Sequence, residues 1–252
     1  MIGPYTIATI SSATVVTVGT LLSGHKNGVP FRTCITITLS LLILMFIGSR
    51  TLYLWTNHPS TTISFLDIEA HGFSLFGGIL LAITGGGILC TILRIDPWKL
   101  ADSCSPYVGV GIAIMRIGCF MNGCCFGIET HLPWGVRFPL MSPSHLSQLQ
   151  HAGGELLFVH PVHPTQLYEL IAAILGSSLA LYILRKKLPS GIAFVGFGLW
   201  FTIFRIFNSN FRVTPESSTA SPFFYPFLYT CIVGIGMLYI YKRVYASSIQ
   251  HP

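Results

Sequence analysis

Residues 34–55 read Cys34-Ile-Thr-Ile-Thr-Leu-Ser-Leu-Leu-Ile-Leu-Met-Phe-Ile-Gly-Ser-Arg-Thr-Leu-Tyr-Leu-Trp55. A helix crosses the hydrocarbon of a bilayer in about 20 mostly apolar residues, and this run is long enough. A single charge, Arg50, interrupts it. Working outward, runs of the same kind cover Tyr5–Leu22, Gly72–Leu93, Pro106–Phe120, Thr165–Leu184, Gly191–Phe207 and Phe223–Tyr241. The run Pro106–Phe120 is short and ends in a glycine-rich polar stretch, which suits a partly buried or re-entrant segment. Irregular backbone at membrane depth is tolerated only where protein or a water-filled cavity surrounds it. The fold class is therefore all-α, a polytopic membrane protein with about seven transmembrane helices. It is read as one integral membrane domain over residues 1–252.

Composition supports the bilayer as solvent. The 252 residues are 52% hydrophobic and 9% charged, with a mean hydropathy of +0.68, whereas a soluble domain carries about 25% charged residues. The net charge of +6 does not point to nucleic acid, because the bases form no stripe and sit in short connections. Met1–Pro4 offers no basic segment before the first apolar run, so that run is expected to be a retained helix rather than a cleaved signal. Seven cysteines are scattered except for Cys119, Cys124 and Cys125, which is not the framework of a small disulfide-rich domain.

Orientation follows from the lysines and arginines. Lys26, Arg32, Arg94, Lys99, Arg185, Lys186, Lys187, Lys242 and Arg243 fall on one side, and Arg137 and Arg212 on the other. An odd number of spans then places the N-terminus outside and the C-terminus in the cytoplasm. The longest connection, at about residues 122–164, lies outside, and its Leu146, Leu149 and Leu156–Phe158 suit a membrane surface. A loop of that length is usually functional.

Arg50, Arg116 and Arg205 lie within or at the outward ends of predicted spans. An arginine at the centre of a membrane helix costs at least about 2.5 kcal/mol, so each is either a snorkelling side chain or part of a site facing a cavity. Four short segments gather the remaining polar chemistry. In Arg116-Ile-Gly-Cys-Phe-Met-Asn-Gly-Cys-Cys-Phe-Gly127, a continuing helix stacks Arg116, Cys119 and Asn122 on one face. In His163-Pro-Thr-Gln-Leu-Tyr-Glu169, Pro164 suits a helix start. His163, Gln166 and Glu169 then project from one side, and a buried Glu169 needs a cationic partner, for which Arg116 and Arg205 are the candidates. In Phe204-Arg-Ile-Phe-Asn-Ser-Asn-Phe-Arg212, Arg205, Ser209 and Arg212 share a helical face, and paired guanidinium groups suit a phosphate. His71-Gly-Phe-Ser-Leu-Phe-Gly-Gly78 places His71 and Ser74 at the outer entrance of the third span. Cys119, Cys124, Cys125 and His131 are zinc-type ligands, but their spacing is not that of paired ligands. Packing or headgroup contact, a disulfide and a metal remain open for them.

These segments resemble the motifs of the prolipoprotein diacylglyceryl transferase family. Arg116–Gly127 resembles its G-R-x-G-N-F-I-N-G-E-x-x-G signature, and His163–Glu169 its H-P-S-Q-L-Y-E. Ile47–Tyr53 resembles G-x-R-x-x-Y, His71–Gly78 resembles G-G-M-S-F-H-G-G, and Phe204–Arg212 resembles F-R-x-x-x-E-x-F-R. The five are collinear over residues 5–243. The resemblance implies a multi-pass enzyme of the bacterial inner membrane that moves diacylglyceryl from phosphatidylglycerol, or a related anionic phospholipid, to the lipobox cysteine of a prolipoprotein. It implies no metal, no dissociable cofactor and no nucleic acid. On this reading Arg116 and Arg205 hold the phosphate, Glu169 with Gln166 orients them, and Asn122 contacts the headgroup. Tyr5, Arg50, His71, Ser74, Cys119, Tyr168 and Arg212 complete the substrate-binding set, and the candidate bases in place of the family's histidine are His163, a thiolate of Cys119 or Cys124, or His71 if its stretch of chain is rearranged.

Five polar family positions differ. The helix-three histidine is Phe76, the first asparagine of the signature is Cys119 and its glutamate is Cys124. The glutamate between the last two arginines is Ser209, and the tyrosine before them is Phe201. Two other readings therefore stand beside the transferase: a related membrane enzyme using Cys119 or Cys124 as a nucleophile or redox thiol, and a non-catalytic lipid-binding protein.

Overall fold

The computed structural model describes residues 3–57, 75–152, 158–186, 188–213 and 224–250. Among them the chain is all α-helix in its regular elements: α1 (Pro4–Lys26), α2 (Phe31–Asn57), α3 (Leu75–Ile92), α4 (Pro97–Asn122), α5 (Pro143–His151), α6 (Thr165–Arg185), α7 (Ile192–Ser209) and α8 (Phe224–Gln250). Helices α1, α2, α4, α6, α7 and α8 each contain a stretch long and apolar enough to cross a membrane, and Gly77–Ile92 of α3 is a shorter apolar helix. The protein is a polytopic, multi-span membrane protein.

The fourth helix departs from the sequence reading. It is not short but runs unbroken for 26 residues with Pro106 inside it. Proline removes one helical N–H and crowds the preceding turn. Here the Ser177 hydroxyl of α6 donates to the Pro106 carbonyl at 2.7 Å, so a side chain from the neighbouring helix serves the backbone at the irregular turn. Helix α5 is an element that no apolar run announced. It starts at Pro143 behind Ser142, whose hydroxyl accepts from the His145 N–H, the usual way of satisfying an orphan donor at a helix start.

The chain packs as two compact units, Met1–Val16 with Cys104–Pro252, and Thr17–Ser103. In the smaller unit α2 and α3 lie backbone to backbone. A Cβ at Gly48 would collide with the Gly77 carbonyl, and one at Gly77 with the Gly48 carbonyl. Lipid tails are as apolar as leucine, so such close approach, and not water exclusion, holds spans together. Ile37, Cys90 and Leu100 form a buried cluster in this unit, and Cys34 is buried as well. Gly48→Val is expected to destabilise the protein by about 1–3 kcal/mol, the usual range for overpacking. Thermal melting in detergent measures this, and an unchanged transition would contradict the packing.

In the larger unit, small residues again set the contacts. Gly111 and Gly118 of α4 meet Ser12, Val16 and Ala8 of α1, and Gly109 of α4 meets Ser177 and Ala173 of α6. Trp200 of α7 donates its indole N–H to the Ala172 carbonyl at 2.8 Å. The ends of α4, α6 and α7 are thereby brought together.

Candidate functional site

Helix α4 stops where the sequence reading carried it on. Gly123 has φ +69, a left-handed conformation that costs glycine nothing. The Gly123 N–H bonds back to the Phe120 carbonyl and the Cys124 N–H to the Cys119 carbonyl, each at 3.1 Å. This pair of bonds is a Schellman termination. It folds Cys124 over Cys119 and leaves Asn122 exposed, so Asn122 does not continue a helical face beyond Gly123.

After the turn the chain runs extended between two neighbours. Gly127 pairs with Arg212, and Glu129 and Val136 each pair with Val162. The Gly127 N–H donates to the His163 carbonyl at 2.9 Å, the Ile128 N–H to the Phe211 carbonyl at 2.9 Å and the His163 N–H to the Ile128 carbonyl at 3.0 Å. A Cβ on Gly127 would collide with the Phe211 carbonyl and the His163 side chain, so only glycine fits. The long connection is thus a set of backbone ties across the ends of three helices. Gln148 of α5 adds to it, exchanging amide bonds with the His160 backbone at 3.0 Å each way.

These ties place four charges on one spot. Glu169, in the second turn of α6, is 1% exposed. Arg116 Nη2 from α4 lies 2.5 Å from its Oε2. Arg205 Nη1 from α7 lies 2.6 Å from Oε1, and Arg212 Nη1 lies 3.2 Å from the same oxygen. The three arginine side chains remain 18%, 29% and 27% exposed. One carboxylate neutralises one of the three positive charges. Two remain, on side chains that still reach solvent and carry donors beyond those the carboxylate uses. The arrangement is a cationic cluster organised by a buried carboxylate.

Arg212 joins it by a different route from the one the spacing suggested. Helix α7 ends at Ser209, so Arg212 does not share a helical face with Arg205; its bridge to Gly127 aims it instead. The Ser209 hydroxyl turns back to the Ile206 carbonyl. Gln166 is also redirected. Its Nε2 donates to the Cys124 carbonyl at 2.7 Å, while the Thr165 hydroxyl donates to the Cys125 carbonyl at 2.7 Å. The first turn of α6 thus binds the cysteine turn and not the arginines. His163 is buried. Its Nδ1 lies 3.1 Å from the Tyr168 hydroxyl, which also accepts the Trp134 indole N–H at 2.8 Å, and its ring packs on Phe211 with centroids 4.9 Å apart. Tyr5 sits on α1, half exposed, and its Cα would lie 3.5 Å from a Cβ on Gly118. Arg50 is fully buried on α2 in the other unit. His71 and Ser74 lie outside the described residues, as does the side chain of Phe76.

Two contributors escaped the sequence reading. Asn208 is 1% exposed and donates Nδ2 to Glu169 Oε1 at 3.1 Å. It lies three residues after Arg205 and so on the same helical face, a signal that was legible. Tyr229 of α8 hydrogen bonds with Arg205, standing on the arginine next to which Phe201 has no hydroxyl to offer. Asn208→Ala is expected to lower stability by about 1–3 kcal/mol through the lost bond in a buried cluster, again read from melting in detergent.

Beside Arg116 the three cysteines converge, their sulfur atoms within 4.8 Å of one another. Arg116 Nη1 lies 3.8 Å from Cys119 Sγ. Cys125, beyond the end of α4, is held far below the ordinary thiol range by hydrogen bonds from Cys119 and Cys124, with the Arg212 and Arg116 charges acting in the same direction. Cys124 has a bond with Cys119 that favours its thiolate, yet its bond to Cys125, burial and the Cys125 charge push it up.

Comparison with known proteins resolves the family. A family model described as prolipoprotein diacylglyceryl transferase matches residues 2–242. The chain belongs to that family. Among curated members it is 31% identical over 183 residues to phosphatidylglycerol–prolipoprotein diacylglyceryl transferase of Geobacter sulfurreducens, covering 69% of this chain and 62% of that protein. Against the protein of the same name from Bacillus cytotoxicus it is 26% identical over 224 residues, 86% of this chain and 77% of the relative. Against that of Desulfotalea psychrophila it is 30% identical over 186 residues, 68% and 61%. The chain therefore spans about three fifths of the length of the first and third of these family members.

Proposed function

We propose that this protein is a phospholipid-dependent transferase that moves diacylglyceryl from phosphatidylglycerol, or a related anionic phospholipid, to a cysteine thiol of a prolipoprotein at the periplasmic face of a bacterial inner membrane. One observation carries the reading: three arginines from separate segments meet on a single buried carboxylate, leaving two positive charges partly open. The names of the curated relatives supply the lipid and the acceptor class. An apolar groove between α1 and α4, lined by Ile7, Ala8, Ile114, Ile117 and Met121, flanks Arg116 along the chain and suits an acyl tail.

The chemistry is a displacement. The acceptor Sγ attacks the glyceryl carbon that bears the phosphate ester, the C–S bond forms, and the C–O bond breaks with its electron pair leaving on glycerol phosphate. Arg116, Arg205 and Arg212 face the negative charge that grows on the leaving group. A thiol of pKa near 8.5 reacts as thiolate, so its proton must be taken. In this reading His163 donates Nδ1–H to the Tyr168 hydroxyl, and Nε2 keeps a lone pair for that proton. Glu169 and Asn208 position the arginines.

The test is transfer of labelled diacylglyceryl from phosphatidylglycerol to a lipobox peptide by the purified protein. His163→Gln is expected to lower the rate by about 10²–10⁴-fold, the usual worth of a general base. An unchanged rate removes His163 from the chemistry. The sulfur cluster beside Arg116 favours a second reading in which Cys119 or Cys124 supplies thiol chemistry. Loss of transfer in Cys124→Ser, with lipid binding retained, would select it.

A further inference from the structure

We infer that Cys119, Cys124 and Cys125 form a three-coordinate thiolate site for a soft monovalent metal ion of the cuprous type, set against the arginine cluster. The argument begins with geometry. Three sulfurs around one ion at a metal–sulfur distance of about 2.3 Å stand about 4 Å apart, and these three lie within 4.8 Å of one another. That convergence is built by the backbone. The Schellman turn at Gly123 folds Cys124 onto Cys119, and the positive φ of Cys125 turns the next residue to the same side. The turn is then tied to α6 through Gln166 and Thr165, which hold the Cys124 and Cys125 carbonyls. The sulfurs are left free to bind, since none is in a disulfide.

Ligand number and charge select the class of ion. Among the described residues no fourth histidine, cysteine or carboxylate joins the group. A structural zinc ion takes four protein ligands, whereas thiolates in low number suit a soft cuprous ion. Three thiolates around a monovalent ion carry a charge of −2. Arg116, Arg205 and Arg212 with Glu169 carry +2, so the loaded site and the arginine cluster balance. Arg116 touches both, with one nitrogen near Glu169 and another 3.8 Å from Cys119 Sγ. Binding a cuprous ion involves no electron transfer: the thiol protons go to solvent and three S–metal bonds form. A consequence, which rests on the transferase reading, is that a loaded site uses the two surplus charges that a phosphate headgroup needs. Metal and lipid then oppose each other.

The experiment uses the full chain in detergent, anaerobic, without lipid or acceptor peptide, titrated with cuprous ion against a chromophoric cuprous chelator. One equivalent per chain is expected to resist the chelator. Cys119→Ser, Cys124→Ser and Cys125→Ser are each expected to weaken retention by ~100-fold or more, and Arg116→Gln by about 10-fold, as for groups that support a ligand. Cys231→Ser, on α8, is expected to change nothing. No retained equivalent in the unaltered protein, equal retention in the triple serine variant, or a disulfide mapped among the three in protein taken from membranes would each overturn the site. Because the titration contains no lipid, its failure leaves the transferase proposal standing, and an inactive protein that binds the ion leaves this one standing.

Discussion

Glu169→Gln is expected to be the most damaging single change in this protein, lowering stability by about 3–5 kcal/mol, the range for removing one partner of a buried ion pair. The carboxylate is 1% exposed and has Arg116 on one oxygen and Arg205 and Arg212 on the other. Glutamine keeps the size and one acceptor but removes the charge. Three guanidinium groups then repel one another in a setting where solvent screens them less than at an open surface. The hydrogen bond from Asn208 survives only if the amide oxygen occupies the Oε1 position, which denies an acceptor to Arg116. Thermal melting in detergent tests this, together with the yield of folded protein from membranes. A variant that melts with the unaltered protein would show that the arginines are held by something other than this carboxylate.

Arg205→Ala is the second large effect, and it falls on activity. Loss of one donor to a developing oxyanion commonly lowers kcat by about 10²–10³-fold. Arg205 is placed by Glu169 on one side and Tyr229 on the other, so its guanidinium is oriented before any lipid arrives. Arg205→Lys keeps the charge and loses the planar pair of donors, and is expected to fall between the two in rate. The assay is diacylglyceryl transfer to a lipobox peptide, run beside binding of vesicles that contain phosphatidylglycerol. Transfer unchanged in Arg205→Ala would remove the arginine cluster from the chemistry. Transfer absent from the unaltered protein, with lipid bound in an Arg205-dependent way, would favour a lipid-binding role.

The bilayer class, most of the apolar helices and the members of the charge cluster are legible along the chain, because hydrophobic length and the rarity of intramembrane charge are properties of local sequence. Arg116, Arg205 and Glu169 stand out by their position in apolar runs, and the likeness of their neighbourhoods to family motifs supplied the chemistry. Other features needed the folded chain. A fourth span that passes through Pro106 depends on Ser177 of another helix. Arg212 reaches Glu169 because Gly127 pairs with it, not because of its spacing from Arg205. The sulfur cluster depends on how α4 ends. Cys119 and Cys124 are five apart across Gly123, the separation at which a Schellman turn brings two side chains together, but a helix carried on through Gly123 sends them to different faces.

Alone, the sequence determined that this chain lives in a membrane and which ionised side chains were candidates for partners there, since transfer into hydrocarbon penalises each residue wherever the rest of the chain goes. It also offers Arg116 and Arg205 as the partners of Glu169; only the tertiary structure decided that both share it and that Arg212 joins them. Three arginines share one carboxylate and three thiols share one turn because backbone ties between distant segments set directions that no local spacing encodes.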